Sequence, residues 1–235
     1  MARLGLLACD FVPDELRDRF EDYPVMFAEA VACTGSNVEW RTYRVYQGEL
    51  PWRADECDAY IISGSRAGAY DGEAWIAALE AFIRELAASD RRLVGVCFGH
   101  QVVAQALGGT VEKSPRGWGI GIHTYDANEA AAWMTPAMTQ FTVPVCHQDQ
   151  VVRLPEGTRR LASSAHCENF LLQFNETMMG IQGHPEFTSA YVDVLIDLRE
   201  QLLTPATLAA ARASLDRSAD NVAIMHWITN FLDLK

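Results

Sequence analysis

The stretch LVGVCFGHQ, residues 93–101, sets a cysteine between two glycines at the close of an apolar run. A G-x-C-x-G turn between a buried strand and a helix pushes its central side chain outward at the carboxyl edge of a sheet. The glycines allow a close approach that a bulkier residue would block. Cys97 then lies at the amino end of the helix HQVVAQALGG, where backbone dipoles favour a thiolate. The amide of Phe98 faces any oxyanion formed on a carbonyl that the sulfur attacks. Both effects suit acyl transfer by a thiol nucleophile. The bland alternative is a small buried cysteine that fills a strand-to-helix turn.

A nucleophile of this kind needs a base, and the chain has six histidines: His100, His123, His147, His166, His184 and His226. One of them, in MMGIQGHPEFT, has a carboxylate two positions on. In extended conformation His184 and Glu186 share a face while Pro185 turns away, so the carboxylate can orient the imidazole and raise its basicity. Alone, the stretch also reads as a polar surface turn. Together with Cys97 it supplies the parts of a Cys-His-Glu triad. His100 opens the helix after the elbow and reads as structural, and His123, His166 and His226 have no partner visible in the sequence. The adjacent pairs Cys146-His147 and His166-Cys167 raise the question of a metal, but neighbours in a strand point to opposite faces and do not readily share an ion. No metal and no cofactor are expected.

The elements that must position these groups alternate. RLGLLAC, VEWRTYRVY, AYIISGS and RRLVGVC read as strands, and PVMFAEAVAC, GEAWIAALEAFIRELAAS and HQVVAQALGG as helices. This βαβ order predicts an α/β, flavodoxin-like fold: a central, mostly parallel sheet with helices on both faces. From residue 110 to about 183, short extended pieces such as WGIGIHTY, FTVPVCHQD and NFLLQF with turn residues between them predict a small antiparallel layer. The carboxyl end turns helical, with a break at Thr204-Pro205.

Composition bounds the partners. The chain has 235 residues, 49% of them hydrophobic and 21% charged, enough for a full core and ordinary for a globular chain. No apolar stretch approaches a membrane helix, and MARLGLLACDF has too short an apolar run for a signal peptide, so a cytoplasmic location is expected. A net charge of -12 works against a phosphate-backbone partner. Six cysteines without CxxC spacing indicate neither a disulfide framework nor a zinc knuckle.

In combination, GVCFGHQ and QGHPEF resemble the class I glutamine amidotransferases, whose triad joins a cysteine in a G-x-C-x-G-x-Q elbow to a distant H-x-E. IISGSRAGAYD, residues 61–71, resembles the family's glycine turn that supplies the second oxyanion amide, and VCHQDQV, residues 145–151, resembles its S-H-x-D segment beside the substrate. Two departures stand out: Gly64-Ser65-Arg66 replaces the frequent G-G-P, leaving open which amide of the 64–65 turn donates, and Cys146 takes the place of the serine. The chain resembles the free-standing members, including γ-glutamyl peptidases, more closely than domains fused to a synthase.

The resemblance implies a domain over residues 1–200 with a helical extension over 201–235. It also implies a mechanism: Cys97 attacks the γ-amide of glutamine or a related γ-glutamyl compound, amides of Phe98 and the Gly64-Ser65 turn hold the oxyanion, and His184, kept in its tautomer by Glu186, shuttles the proton. Gln101 and the backbone of His147, Gln148 and Asp149 are expected to contact this small-molecule substrate. Three functions stay open: a glutaminase feeding ammonia to a separate synthetase subunit, an independent γ-glutamyl hydrolase, or a non-catalytic binding relative. Apolar faces in the terminal helices, with Ile224, Trp227, Ile228 and Phe231, can pack on the main domain or on a second copy in a homodimer. Arg66, Tyr70, Arg116 and Trp118 lie in glycine-rich loops that could shape the mouth of the site.

Overall fold

A computed structural model describes residues 1–234. Its centre is a nine-stranded sheet. Five strands run parallel in the order β2 (Val38–Arg44), β1 (Ala2–Ala8), β3 (Ala59–Ile62), β4 (Arg92–Val96) and β11 (Met178–Ile181). β3 and β11 are buried along their whole length, as continuous apolar runs in a doubly covered parallel sheet must be, whereas β2, at the edge, alternates between half-buried and exposed positions through most of its length. The sheet continues antiparallel through β10 (Leu171–Gln173), β9 (Arg159–Ser163), β6 (Gly119–Ala127) and β7 (Gln140–His147). Most of the short extended pieces after residue 110 therefore lengthen the main sheet. Only β5 (Thr110–Lys113) and β8 (Asp149–Arg153) form a separate two-stranded ribbon.

Helices cover both faces. α1 (Tyr23–Ala32) and α6 (Asn221–Phe231) pack on one side, in a core that includes Leu4, Leu6, Phe27, Val94, Phe141 and Trp227. α2 (Ala74–Ala87) and α3 (Phe98–Ala106) pack on the other, with Leu7, Tyr60, Ile62, Leu79, Ile83 and Val102. α4 (Ser189–Arg199) and α5 (Pro205–Ser214) lie across β6. The faces of α6 left open by the sequence turn onto the chain itself: Ile224, Trp227, Ile228 and Phe231 are all buried, each at about 1.5–3 kcal/mol of gross apolar burial. The indole of Trp227 donates to the carbonyl of Pro136 at 2.8 Å, and Arg92 donates to the carbonyl of Phe231 at 2.7 Å. Lys235, the last residue of the expected extension, lies outside the described residues.

Parallel order has one consequence that matters for chemistry. β1, β3, β4 and β11 all end at the same edge, so the segments after Ala8, Ile62, Val96 and Ile181 converge there although they are far apart in sequence.

Candidate active site

β4 passes into α3 with a single residue between them, Cys97, at φ 53° and ψ -101°. A non-glycine residue at positive φ is strained, by roughly 1–3 kcal/mol, and persists only where its surroundings fix it. Here the Cys97 amide donates to the carbonyl of Ile181 at 2.8 Å, and its carbonyl accepts from Gln101 at 3.1 Å. The flanking glycines are required by contact: a Cβ on Gly95 would lie 2.4 Å from the backbone of Gly99, and one on Gly99 would lie 2.4 Å from the carbonyl oxygen of Ile62. The elbow thus presents the sulfur at the helix amino terminus, and the Phe98 amide belongs to the first turn, whose donors have no partner within the helix.

His184 and Glu186 meet beside it. Nδ1 of His184 lies 2.7 Å from Oε1 of Glu186, and both side chains are almost fully buried. They meet through a turn rather than along an extended strand: the Phe187 amide donates to the His184 carbonyl at 3.1 Å, folding Pro185-Glu186 back. Proline presets that bend, which a period-two reading does not contain. The imidazole plane is fixed by Phe187, stacked at 4.0 Å and 5°. Burial by itself would strip the proton from His184. The charges of Cys97 and Glu186, with hydrogen bonds to both, outweigh it and push the imidazole up from 6.5 to about 10. The surroundings of Cys146 act oppositely, burial pushing its thiol up to about 12, so this neighbouring cysteine stays protonated.

The turn after β3 faces the same point. A Cβ on Gly64 would lie 2.8 Å from Cε1 of His184, so glycine there is what lets the turn approach the imidazole. Gly64→Ala is expected to displace a ring that Glu186 and Phe187 hold, lowering kcat about 10- to 100-fold with little loss of thermal stability. Steady-state kinetics beside a melting curve checks this. The turn is anchored by Asp10, which is buried: Arg66 donates to it from its backbone amide (2.8 Å), Nε (2.8 Å) and Nη2 (2.6 Å), and the Phe11 amide donates at 2.9 Å. Asp10→Asn removes the acceptor set that this fork matches. We expect kcat to fall about tenfold with KM little changed, because the loss acts on the position of oxyanion donors.

The expected substrate contacts gather at one cleft, which also opens on Cys97 and is lined by Ser65, Arg66, Gln101, His147, Gln148 and Asp149. Gln101 is committed to the protein, its amide nitrogen bonding the Asp149 carbonyl at 2.9 Å and Oε1 of Gln182 at 3.1 Å. Of the expected mouth residues, Arg66, Tyr70 and Trp118 line the cleft. Arg116 instead donates to the carbonyl of Ala165.

Gln182 was not singled out in the sequence, yet it is fully buried and its amide lies 3.5 Å from the Cys97 sulfur. Its position two residues before His184 was the available signal. The cleft wall formed by Tyr191, Leu195 and Arg199 of α4 had none. His123 and His166, two of the histidines without a sequence partner, meet with His147. The His166 ring lies 5.8 Å from that of His123 and 6.0 Å from that of His147, and burial lowers all three, His123 to about 4 and His147 to about 3. They are neutral rings, and among the described residues no group of three or more His, Cys, Asp or Glu is arranged to hold a metal ion. His100 is fully buried and lowered to about 4 by the same cause, which suits a structural role. Among the described residues no helix is long and apolar enough to cross a membrane.

Comparison with known proteins places the chain in a family. The family model for glutamine amidotransferase class-I matches residues 17–194. Gamma-glutamyl peptidase 5 of Arabidopsis thaliana is 31% identical over 166 residues, spanning 68% of this chain and 66% of that protein. Gamma-glutamyl peptidase 3 of the same plant is 27% identical across 97% of this chain and 95% of its own. The crystal structure of a glutamine amidotransferase from Thermotoga maritima shares the fold, with a TM-score of 0.76 over 98% of both chains at 18% identity. This chain belongs to the class I glutamine amidotransferase family and is an enzyme of that family.

Proposed function

We propose that the protein hydrolyses the γ-amide bond of a γ-glutamyl compound, glutamine or a larger conjugate, through a γ-glutamyl thioester on Cys97. The observation that carries this reading is a strained elbow sulfur that lines a cleft and has the buried His184-Glu186 pair beside it. The sulfur attacks the amide carbon, and the amides of Phe98 and the Gly64-Ser65 turn receive the oxyanion. The carbon-nitrogen bond then breaks as the His184 imidazolium gives its proton to the departing nitrogen. Water, losing a proton to the same imidazole, cleaves the thioester and frees glutamate and Cys97. Glu186 holds the ring in the tautomer both steps need. Gln182 donates its amide to the sulfur.

Hydrolysis without a partner is the form we favour. The cleft, at about 610 Å³, is in the range that buries a drug-sized ligand, more room than glutamine with ammonia as its leaving group requires. The relatives named as gamma-glutamyl peptidases support the same choice. Residues 1–200 form the amidotransferase unit in this reading and the helices after it complete the core. Six free cysteines suit a reducing, cytoplasmic setting. The test is glutamate release by the purified chain from glutamine and a panel of γ-glutamyl dipeptides, with mass spectrometry of acid-quenched protein for the thioester. Turnover by the chain alone is expected. Turnover only after adding a synthetase subunit would move the reading to a partnered glutaminase, and neither glutamate nor thioester with any substrate would overturn it.

A further inference from the structure

We propose that the outer part of this cleft is a leaving-group subsite for amino acids with an apolar or aromatic side chain and a free carboxylate, with Arg199 as the residue that recognises the carboxylate. The inference rests on the hydrolase reading above and specifies its substrate.

The cleft has two differently built regions. One is lined by Cys97, Gln101 and the 147–149 segment. The other comes from different elements: Phe11 after β1, Trp118 before β6, and Leu195, Leu198 and Leu202 from α4 and the turn that follows it, and the exposure of Leu198 and Leu202 marks it as the part nearer solvent. Leu198 and Leu202 are 58% and 64% exposed, apolar surface that a bound apolar group would cover.

Three cations line the same cleft, Arg66, Lys113 and Arg199. The Arg66 fork is spent on Asp10. Arg199 has no carboxylate partner among the described residues, although the chain carries a net charge of -12. Its guanidinium is held over the Trp118 ring at 5.4 Å, and Nη1 reaches the Leu195 carbonyl at 3.3 Å. A guanidinium stacked on an indole keeps its edge donors available in a fixed plane, the arrangement that suits paired bonds to a carboxylate. An unpaired, preorganised cation next to an apolar wall is therefore matched to the two chemical features of an apolar amino acid as leaving group. Ammonia has neither.

The experiment compares kcat/KM for γ-glutamyl-phenylalanine, γ-glutamyl-phenylalaninamide and glutamine in the wild-type chain, Arg199→Ala and Arg199→Lys. The expected order places the dipeptide at least tenfold above glutamine. Arg199→Ala should lower the dipeptide about tenfold relative to both the amide and glutamine, through KM, as loss of a charge-assisted pair does. Arg199→Lys should recover part of it. Equal use of glutamine and dipeptide, or an Arg199→Ala loss shared by all three substrates, would overturn the subsite while leaving the hydrolase reading intact. Absence of glutamate from all three would overturn that reading and the subsite with it.

Discussion

Cys97→Ala is expected to abolish glutamate release and thioester formation, a loss of about a million-fold that reduces turnover to background. The size follows from what the sulfur does: it forms the acyl bond, and the other cysteine that lines the cleft, Cys146, is held as a thiol. Alanine is smaller than cysteine and keeps only the Cβ that the elbow already accommodates at φ 53°, so the elbow is expected to persist and circular dichroism to match the wild type. Persistent release of glutamate from the variant at more than background would show that the reaction runs without the elbow sulfur.

Glu186→Gln is expected to cost about a thousandfold in kcat and to move the alkaline limb of the pH profile. The direction can be worked out from the pair. His184 has its folded value raised from 6.5 to about 10, so its proton persists through neutral pH and is lost as pH rises through about 10. The imidazolium is the acid that serves the departing nitrogen, and wild-type kcat should fall on that limb. Replacing Glu186 with glutamine removes one of the two charges that raise His184, and the limb should shift to lower pH. By the same linkage the pair's contribution to stability is complete below pH 6.5 and disappears as pH approaches 10, so the denaturant midpoint of the wild type should decline across that interval more than that of Glu186→Gln. Oε2 of Glu186 is buried without a partner, so glutamine also buries an unpaired amide and lowers stability by about 1–3 kcal/mol. An unmoved alkaline limb would remove the carboxylate from the titration of His184.

How far the sequence reaches can be judged residue by residue. GVCFG specified its elbow because much of the constraint is local: a Cβ on Gly95 would strike Gly99 four residues on, and the strand ends where the helix begins, while the space Gly99 lacks is taken by Ile62 of β3. The apolar runs of β3 and β4 and the helical spacing in α2 fixed the alternation that makes a parallel sheet. His184 and Glu186 could be paired from their spacing, although proline, through a turn, is what joins them.

The tertiary structure decided the rest, since those contacts link segments with no sequence relation. Gly64 is a glycine because of His184, 120 positions later, and Asp10 is buried because Arg66 reaches it across two parallel strands. Gln182 touches the sulfur only because β11 lies beside β4. Arg199 was unremarkable in its sequence and gained a setting from Trp118, and His123 on β6, His147 on β7 and His166 after β9 became one neutral cluster because β6 pairs with both β7 and β9. Local periodicity specifies which elements form, because it records which side of each must leave water. Which side chains then meet is set by strand order and register, which bring distant loops to one sheet edge and have no counterpart in any single stretch of the chain.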